Sequence, residues 1–155
     1  KVVAEHFSDR VKNFFTINEP QCIVGLGYQT GEHAPGLKVG PSDYFRIWHN
    51  VLKAHGRAVE ALREFSKQPV KISMAPCGAL YVPETNKPED IEAARKANFS
   101  LPENSIGACS WDVALCCDPV YLGQYPEDIL KEFGQFFPKV TDADMKLISQ
   151  PLDFY

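Results

Sequence analysis

Short apolar runs alternate with longer stretches of helical periodicity along this chain. The first run, residues 11–17, is rich in β-branched and aromatic side chains, which predicts a buried strand. Residues 70–74 alternate as a second, short strand, and Pro76 ends it. Strands that alternate with helices are typical of βαβ units, so the pattern predicts an α/β protein with a parallel sheet.

The segment between the two strands combines an irregular part with a long helix. Residues 20–40 carry five glycines and two prolines, which predicts a long loop, and long loops of this kind are often functional. Ser42 is the expected N-cap of the helix that follows. Apolar residues then recur at helical spacing and predict one buried face. That face consists of Trp48, Val51, Leu52, His55, Val59 and Leu62.

Prolines and capping residues mark the starts of later helices. Pro88 is expected at the first position of one helix, where its missing N–H needs no partner. Pro126 is expected to open a shorter helix, which Gly134 ends. Thr141 and Asp144 resemble a capping box, with Asp in place of the usual Glu or Gln.

Two further stretches have helical periodicity. A helix over residues 104–117 is expected to place Trp111 and Leu115 on one face. The first seven residues are also in helical period, with Val3 and Phe7 on one face and no capping residue ahead of them. We therefore expect the chain to begin inside a helix and to end in an unfinished strand at its last three residues.

Composition excludes several classes of protein. A net charge of −4 and a pI near 5.5 argue against a nucleic-acid partner, which needs clustered Lys and Arg. No apolar run approaches the roughly 20 residues that span a bilayer, so we expect no membrane partner. The five cysteines include an adjacent pair and no Cys-x-x-Cys spacing. These features predict free thiols, a cytoplasmic location, and neither a metal nor another cofactor.

The most informative segment is Thr16-Ile17-Asn18-Glu19-Pro20, at the end of the first strand. Pro20 cannot donate to a sheet ladder and favours an extended conformation for Glu19. The pattern therefore predicts a carboxyl group at the C-terminal end of a core strand, where parallel-sheet enzymes place catalytic groups.

This segment resembles the acid/base motif of the family 1 glycoside hydrolases, the β-glucosidase-type retaining enzymes. The resemblance continues in the same order and spacing over essentially all 155 residues. The stretches that carry it are residues 5–12, 31–36, 49–59, 88–95, 118–126 and 153–155.

The resemblance implies a partial (β/α)8 TIM barrel, comprising about strands four to six with the intervening helices. A complete barrel of this kind needs about 250 residues. We therefore expect residues 1–155 to be the central segment of a single glycosidase catalytic domain that is incomplete at both ends.

The resemblance also implies roles for three residues. Glu19 matches the acid/base, and Asn18 matches the residue that bonds the 2-hydroxyl of the sugar and the nucleophile. Cys22 matches a wall of the leaving-group subsite, although simple packing would also explain it. Pro76 falls where many relatives carry an Asn near the aglycone, which leaves the leaving-group preference open. The family's nucleophile motif, Glu-Asn-Gly, does not occur in these residues, so we expect the chain alone to be inactive.

Three functions stay open at this point. The first is a segment of a retaining β-glucosidase that acts on terminal β-D-glucosyl residues. The second is a 6-phospho-β-glucosidase of the same family; those members often carry Asn-Glu-Ile, so Pro20 favours an unphosphorylated substrate. The third is a non-catalytic carbohydrate-binding or structural fragment. The expected partners are a β-glucoside and either the missing parts of the barrel or a second copy of the chain.

Overall fold

Parallel strands and helices alternate in the structure, which confirms the predicted α/β class. The computed structural model describes residues 1–99 and 106–155, without the side chain of residue 99. Its elements in chain order are α1 Val2–Phe7, β1 Asn13–Asn18, a π-helix Cys22–Thr30, α2 Pro41–Phe65, β2 Lys71–Ala75, α3 Pro88–Phe99, α4 Ile106–Cys109, α5 Val113–Cys117, a second π-helix Asp118–Leu122, α6 Glu127–Phe133, a 3-10 helix Gly134–Phe136 and α7 Asp142–Ile148.

β1 and β2 pair in parallel, and their register changes near the C-terminal end. Phe15 lies opposite Ser73, whereas the next paired residue of β1, Asn18, lies opposite Ala75. β1 thus advances by three residues where β2 advances by two, which is a β-bulge. The bulge lies immediately before the candidate catalytic residues.

α2 lies along the sheet and buries the predicted face. Of the six predicted residues Val51 is half-buried, and the buried ones are Trp48, Leu52, His55, Val59 and Leu62. The helix begins at Pro41 with Gly40 as its N-cap, so the prediction of Ser42 as the cap is wrong. Proline at the first helical position explains the earlier start, because its fixed φ suits the helix and its missing N–H has no partner to lose there.

The prediction of a long loop over residues 20–40 is wrong for the first half of that range, which forms the π-helix Cys22–Thr30. The glycines permit close packing. A Cβ on Gly27 would lie 2.8 Å from the carbonyl oxygen of Ala34, and one on Gly25 would lie 3.1 Å from Cβ of Ser110. Glycine is needed here because other chain segments approach the helix backbone.

The single helix predicted over 104–117 is replaced, within the described residues, by the short helices α4 and α5. Asp112 separates them, because its carboxylate accepts a hydrogen bond from the N–H of Ala114 at 2.8 Å and caps α5. Trp111 is exposed in the turn and Leu115 is buried, so the prediction that the two residues share one helix face is also wrong. Residues 104 and 105 lie outside the described residues.

The other predicted helix boundaries agree with the structure. α3 begins at Pro88, and α6 begins after Pro126 and ends at Gly134. Both bonds of the capping box form at the start of α7, between Thr141 and Asp144. No described helix is both long enough and apolar enough to cross a bilayer.

The two ends of the chain differ from their predictions in detail. In α1 the predicted face of Val3 and Phe7 is exposed, and Ala4 is buried instead. Residues 153–155 do not form a strand, but they lie along the free side of β2. The N–H of Asp153 donates to the carbonyl oxygen of Ile72 at 2.9 Å.

Candidate active site

The C-terminal ends of the two strands are tied together at the candidate acid/base. The N–H of Glu19 donates to the carbonyl oxygen of Ala75 at 2.7 Å, so the residue after β1 is fixed against the last residue of β2. Asn18 closes β1, and its side chain is exposed. The structure therefore places Asn18 and Glu19 at the strand end that the sequence predicts.

The backbone at Glu19 does not have the extended conformation that Pro20 predicts. Its φ is +44°, in the left-handed region, which costs a residue with a Cβ about 1 kcal/mol. The carbonyl oxygen of Glu19 accepts hydrogen bonds from the N–H of Cys22 at 2.9 Å and of Ile23 at 3.3 Å. These bonds, together with the bond to β2, hold a strained conformation of the kind that is found at functional sites.

The carboxyl group of Glu19 is exposed and contacts Cys22. The Cys22 thiol donates to Oε2 of Glu19 across 3.5 Å. Burial, the neighbouring Cys77 and Glu19 itself raise the pKa of Cys22 to about 11, so the sulfur stays protonated and remains a donor. The structure thus brings Cys22 and Glu19 together, and the role of Cys22 as a wall of the leaving-group subsite stays a prediction.

A buried glutamine connects this loop to the end of β2. Gln21 is fully buried, and its Oε1 accepts the N–H of Cys77 at 3.2 Å and the Cys77 thiol at 3.7 Å. A cavity of about 520 Å³ opens beyond Cys77, with Pro76, Leu80 and Val113 in its mostly apolar wall. Pro76 therefore lines an apolar cavity next to Cys77, the residue that Gln21 bonds.

Thr16 and His55 form a polar contact behind β1 that the sequence analysis did not predict. Oγ1 of Thr16 lies 2.6 Å from Nδ1 of His55 and also donates to the carbonyl oxygen of Ser73 at 3.3 Å. His55 is fully buried, and burial lowers its pKa to about 4. The available signal was a polar residue in an apolar strand and another in the buried face of the next helix.

Within residues 1–99 and 106–155, no three His, Cys, Asp or Glu side chains are grouped so that they could hold a metal ion. The polar groups around Glu19 are a carboxyl, thiols and amides. Their chemistry is proton transfer and hydrogen bonding to a polar ligand.

A comparison with known proteins decides the family. The family model described as "Glycosyl hydrolase family 1" matches residues 1–155. The chain belongs to glycosyl hydrolase family 1. This membership confirms the resemblance carried by the strand-end motif.

Curated family 1 relatives have similar sequences over nearly the whole chain. β-Glucosidase A of Thermotoga maritima is 36% identical over 99% of this chain and 32% of its own length. β-Glucosidase A of Acetivibrio thermocellus is 38% identical over 99% of this chain and 32% of its own length. The chain thus spans about a third of the length of the curated relatives it matches.

Solved family 1 structures superimpose on the chain. The family 1 β-glucosidase from Thermotoga maritima has a TM-score of 0.74 at 34% identity, over 98% of this chain and 31% of that one. The same organism's β-glucosidase in complex with deoxynojirimycin has a TM-score of 0.75 at 34% identity, over 98% and 32%. Since these family 1 structures are α/β barrels, β1, β2 and their helices form part of such a barrel.

Proposed function

We propose that this chain is a segment of a retaining β-glucosidase and that Glu19 is the general acid/base of its active site. The observation that carries the proposal is the position of Glu19: its carboxyl follows a parallel strand, and its backbone is bonded to the end of the next strand. We assign β1 and β2 to the fourth and fifth strands of the barrel, and residues 153–155 to the start of the sixth.

The proposed reaction is a double displacement. In the first step the Glu19 carboxylic acid gives its proton to the glycosidic oxygen, and the C–O bond breaks with its electron pair going to that oxygen. A second carboxylate forms a bond to the anomeric carbon. In the second step the Glu19 carboxylate takes a proton from water, whose oxygen attacks the anomeric carbon and displaces the enzyme carboxylate.

Two neighbours of Glu19 have supporting roles in this proposal. Asn18, exposed at the end of β1, bonds the 2-hydroxyl of the sugar, and such a bond strengthens in the transition state. Cys22 forms a wall of the leaving-group subsite, because its sulfur lies 3.5 Å from the carboxyl oxygen that protonates the leaving group.

The nucleophile is proposed to come from outside these 155 residues. Retention requires the two carboxyl groups to be about 5–5.5 Å apart, and the sequence contains no Glu-Asn-Gly motif to supply the second. The chain covers only 31–33% of the length of the leading relatives, which supports a nucleophile in another part of the domain. The central segment of one catalytic domain is therefore our proposal for residues 1–155, and the remaining parts of the barrel are its partners.

An unphosphorylated β-glucoside is the favoured substrate, and a 6-phospho-β-glucoside is the second candidate. Pro20 follows Glu19 in this chain, as in the non-phosphorylated branch, and leading relatives are named β-glucosidases. Cys22, Cys77, Cys116 and Cys117 form no disulfide in the structure, which supports a proposed location in a reducing compartment such as the cytoplasm.

The test is reassembly of the barrel from this chain and the flanking N- and C-terminal segments of its parent. We expect the assembled enzyme to hydrolyse phenyl β-glucoside in preference to its 6-phosphate, and the chain alone to show no turnover. Glu19→Gln should lower kcat/KM by about 10²–10⁴-fold, the contribution of a general acid. Glu64→Gln, an exposed position on α2, is the matched control and should leave kcat/KM unchanged. Equal losses in both variants would refute the assignment of Glu19, and turnover by the chain alone would refute the missing nucleophile.

A further inference from the structure

The β-bulge before Asn18 is bridged by a side chain. Between the pairs Phe15–Ser73 and Asn18–Ala75 the regular ladder is interrupted, and Thr16 lies in the interrupted part. Its hydroxyl donates to the carbonyl oxygen of Ser73 at 3.3 Å. This side-chain bond joins the two strands within the interrupted part of the ladder.

His55 holds the same hydroxyl from the side of α2. Its Nδ1 lies 2.6 Å from Oγ1 of Thr16. A carbonyl oxygen can only accept, so the hydroxyl hydrogen points to Ser73, and the hydroxyl oxygen accepts from an Nδ1–H of His55. One hydroxyl thus connects the bulge, the neighbouring strand and the covering helix.

The imidazole is rigidly placed for this contact. His55 is fully buried, and Leu52 and Val59, one turn away on either side, are buried with it. Among the described residues, Nε2 of His55 has no hydrogen-bond partner, so Thr16 is the partner that accounts for the polar ring in this apolar place. Burial lowers the pKa of the ring to about 4, so at ordinary pH it is neutral and carries a single N–H, which the contact with Thr16 assigns to Nδ1.

We propose that Thr16 and His55 are positioning residues that fix the bulge and thereby aim Asn18 and Glu19 at the substrate. The inference rests on the proposed function of Glu19 and adds two residues to its machinery that do not touch substrate. A bulge turns the side chains that follow it, and a slip of one residue would exchange the two faces of the strand. A displacement of about 1 Å at a catalytic group can cost on the order of 100-fold in rate.

The test uses the assembled barrel and two substrates that differ in their need for the acid. 2,4-Dinitrophenyl β-glucoside has a leaving group that departs without a proton, whereas methyl β-glucoside requires protonation by the acid. The breaking variants are Thr16→Val, which removes the hydroxyl at nearly constant volume, and His55→Leu, which places an apolar side chain in an apolar site and should fold well. Thr16→Ser retains the hydroxyl. Val59→Ala, one turn from His55 on the same buried face, is the control for lost packing.

We expect both breaking variants to lower kcat/KM for methyl β-glucoside at least about tenfold more than for the dinitrophenyl substrate. Thr16→Ser should retain most of the wild-type kcat/KM for methyl β-glucoside, and Val59→Ala should lower kcat/KM for both substrates by the same factor. Equal losses on the two substrates in His55→Leu would overturn the positioning role even if Thr16→Val did not fold. Failure of the proposed function is a separate result, since Glu19→Gln itself would then show no dependence on the leaving group.

Discussion

At the residue scale, His55 shows how burial sets the protonation of a single side chain. The ring is fully buried in the face of α2 that covers the sheet, and burial lowers its pKa to about 4. In the unfolded chain the same ring has an ordinary pKa near 6.5. Between these values the unfolded chain binds a proton that the folded chain does not.

Stability should therefore fall as the pH falls from about 6.5 toward 4, and the His55 contribution should be fully present above 6.5. The difference between the unfolded and folded pKa values of His55 corresponds to a loss of about 3 kcal/mol in the free energy of unfolding across this pH range. Urea unfolding of the chain at a series of pH values measures it. His55→Leu should flatten the profile in this window, and an unchanged slope in that variant would contradict the burial argument.

The sequence predicted the position of Glu19 but not its conformation. The strand, the motif and Pro20 are all local features, so the exposed carboxyl at the strand end could be found from them. The left-handed backbone could not, because it depends on a bond to Ala75 that is distant in sequence. The preference of a residue before proline for extended backbone is a modest local effect, and three hydrogen bonds override it.

At the element scale, α2 and α7 cross at Gly56. A Cβ at this position would lie 2.1 Å from the carbonyl oxygen of Leu147, so only glycine allows the two helices to approach this closely. The same glycine weakens the middle of α2 by about 1 kcal/mol relative to alanine. The close crossing and the helix propensity therefore oppose each other at one residue.

Gly56→Ala separates these two effects. We expect a net destabilisation of about 1–3 kcal/mol, because the overlap with a backbone oxygen outweighs the gain in helix propensity. Gly134→Ala makes the same chemical change where φ is −55° and no atom lies within 4 Å of the new Cβ. That control should be neutral or stabilising by up to about 1 kcal/mol. Thermal unfolding of both variants is the measurement, and equal shifts would contradict the crossing argument.

Two elements contrast in how far their determinants extend along the chain: the capping box of α7 depends on local contacts and agrees with its prediction, whereas the π-helix Cys22–Thr30 depends on distant contacts and does not. The capping box of Thr141 and Asp144 lies within four residues, and it forms as predicted. The π-helix Cys22–Thr30 was predicted as a loop because glycine composition alone indicates flexibility. Its glycines are instead required by the approach of Ala34 and Ser110, which no local pattern contains.

At the scale of the whole molecule, the sheet has an unpaired edge that a closed barrel would cover. Within the described residues, β1 pairs with a strand on one side only. Phe15 is 57% exposed beside the unpaired edge, and its ring packs edge-on against Phe154 at 5.3 Å between centroids. Further apolar residues are exposed on the surrounding elements. They are Val2, Val3, Phe7, Val11 and Tyr155.

An unpaired edge next to exposed aromatic rings favours association with another chain. We therefore expect the sedimentation coefficient of the chain to rise with concentration, and we expect addition of the barrel segments proposed to flank it to replace self-association by a defined complex. Phe15→Thr replaces the aromatic ring by a β-branched side chain that also favours a strand, so it should weaken self-association without disrupting β1. Leu130→Ser, at an exposed apolar position on α6, is the control and should not. If the chain sedimented as a monomer at every concentration, the apolar surface around Phe15 would be stably exposed to water. That result would contradict its proposed role as an interface with the other barrel segments.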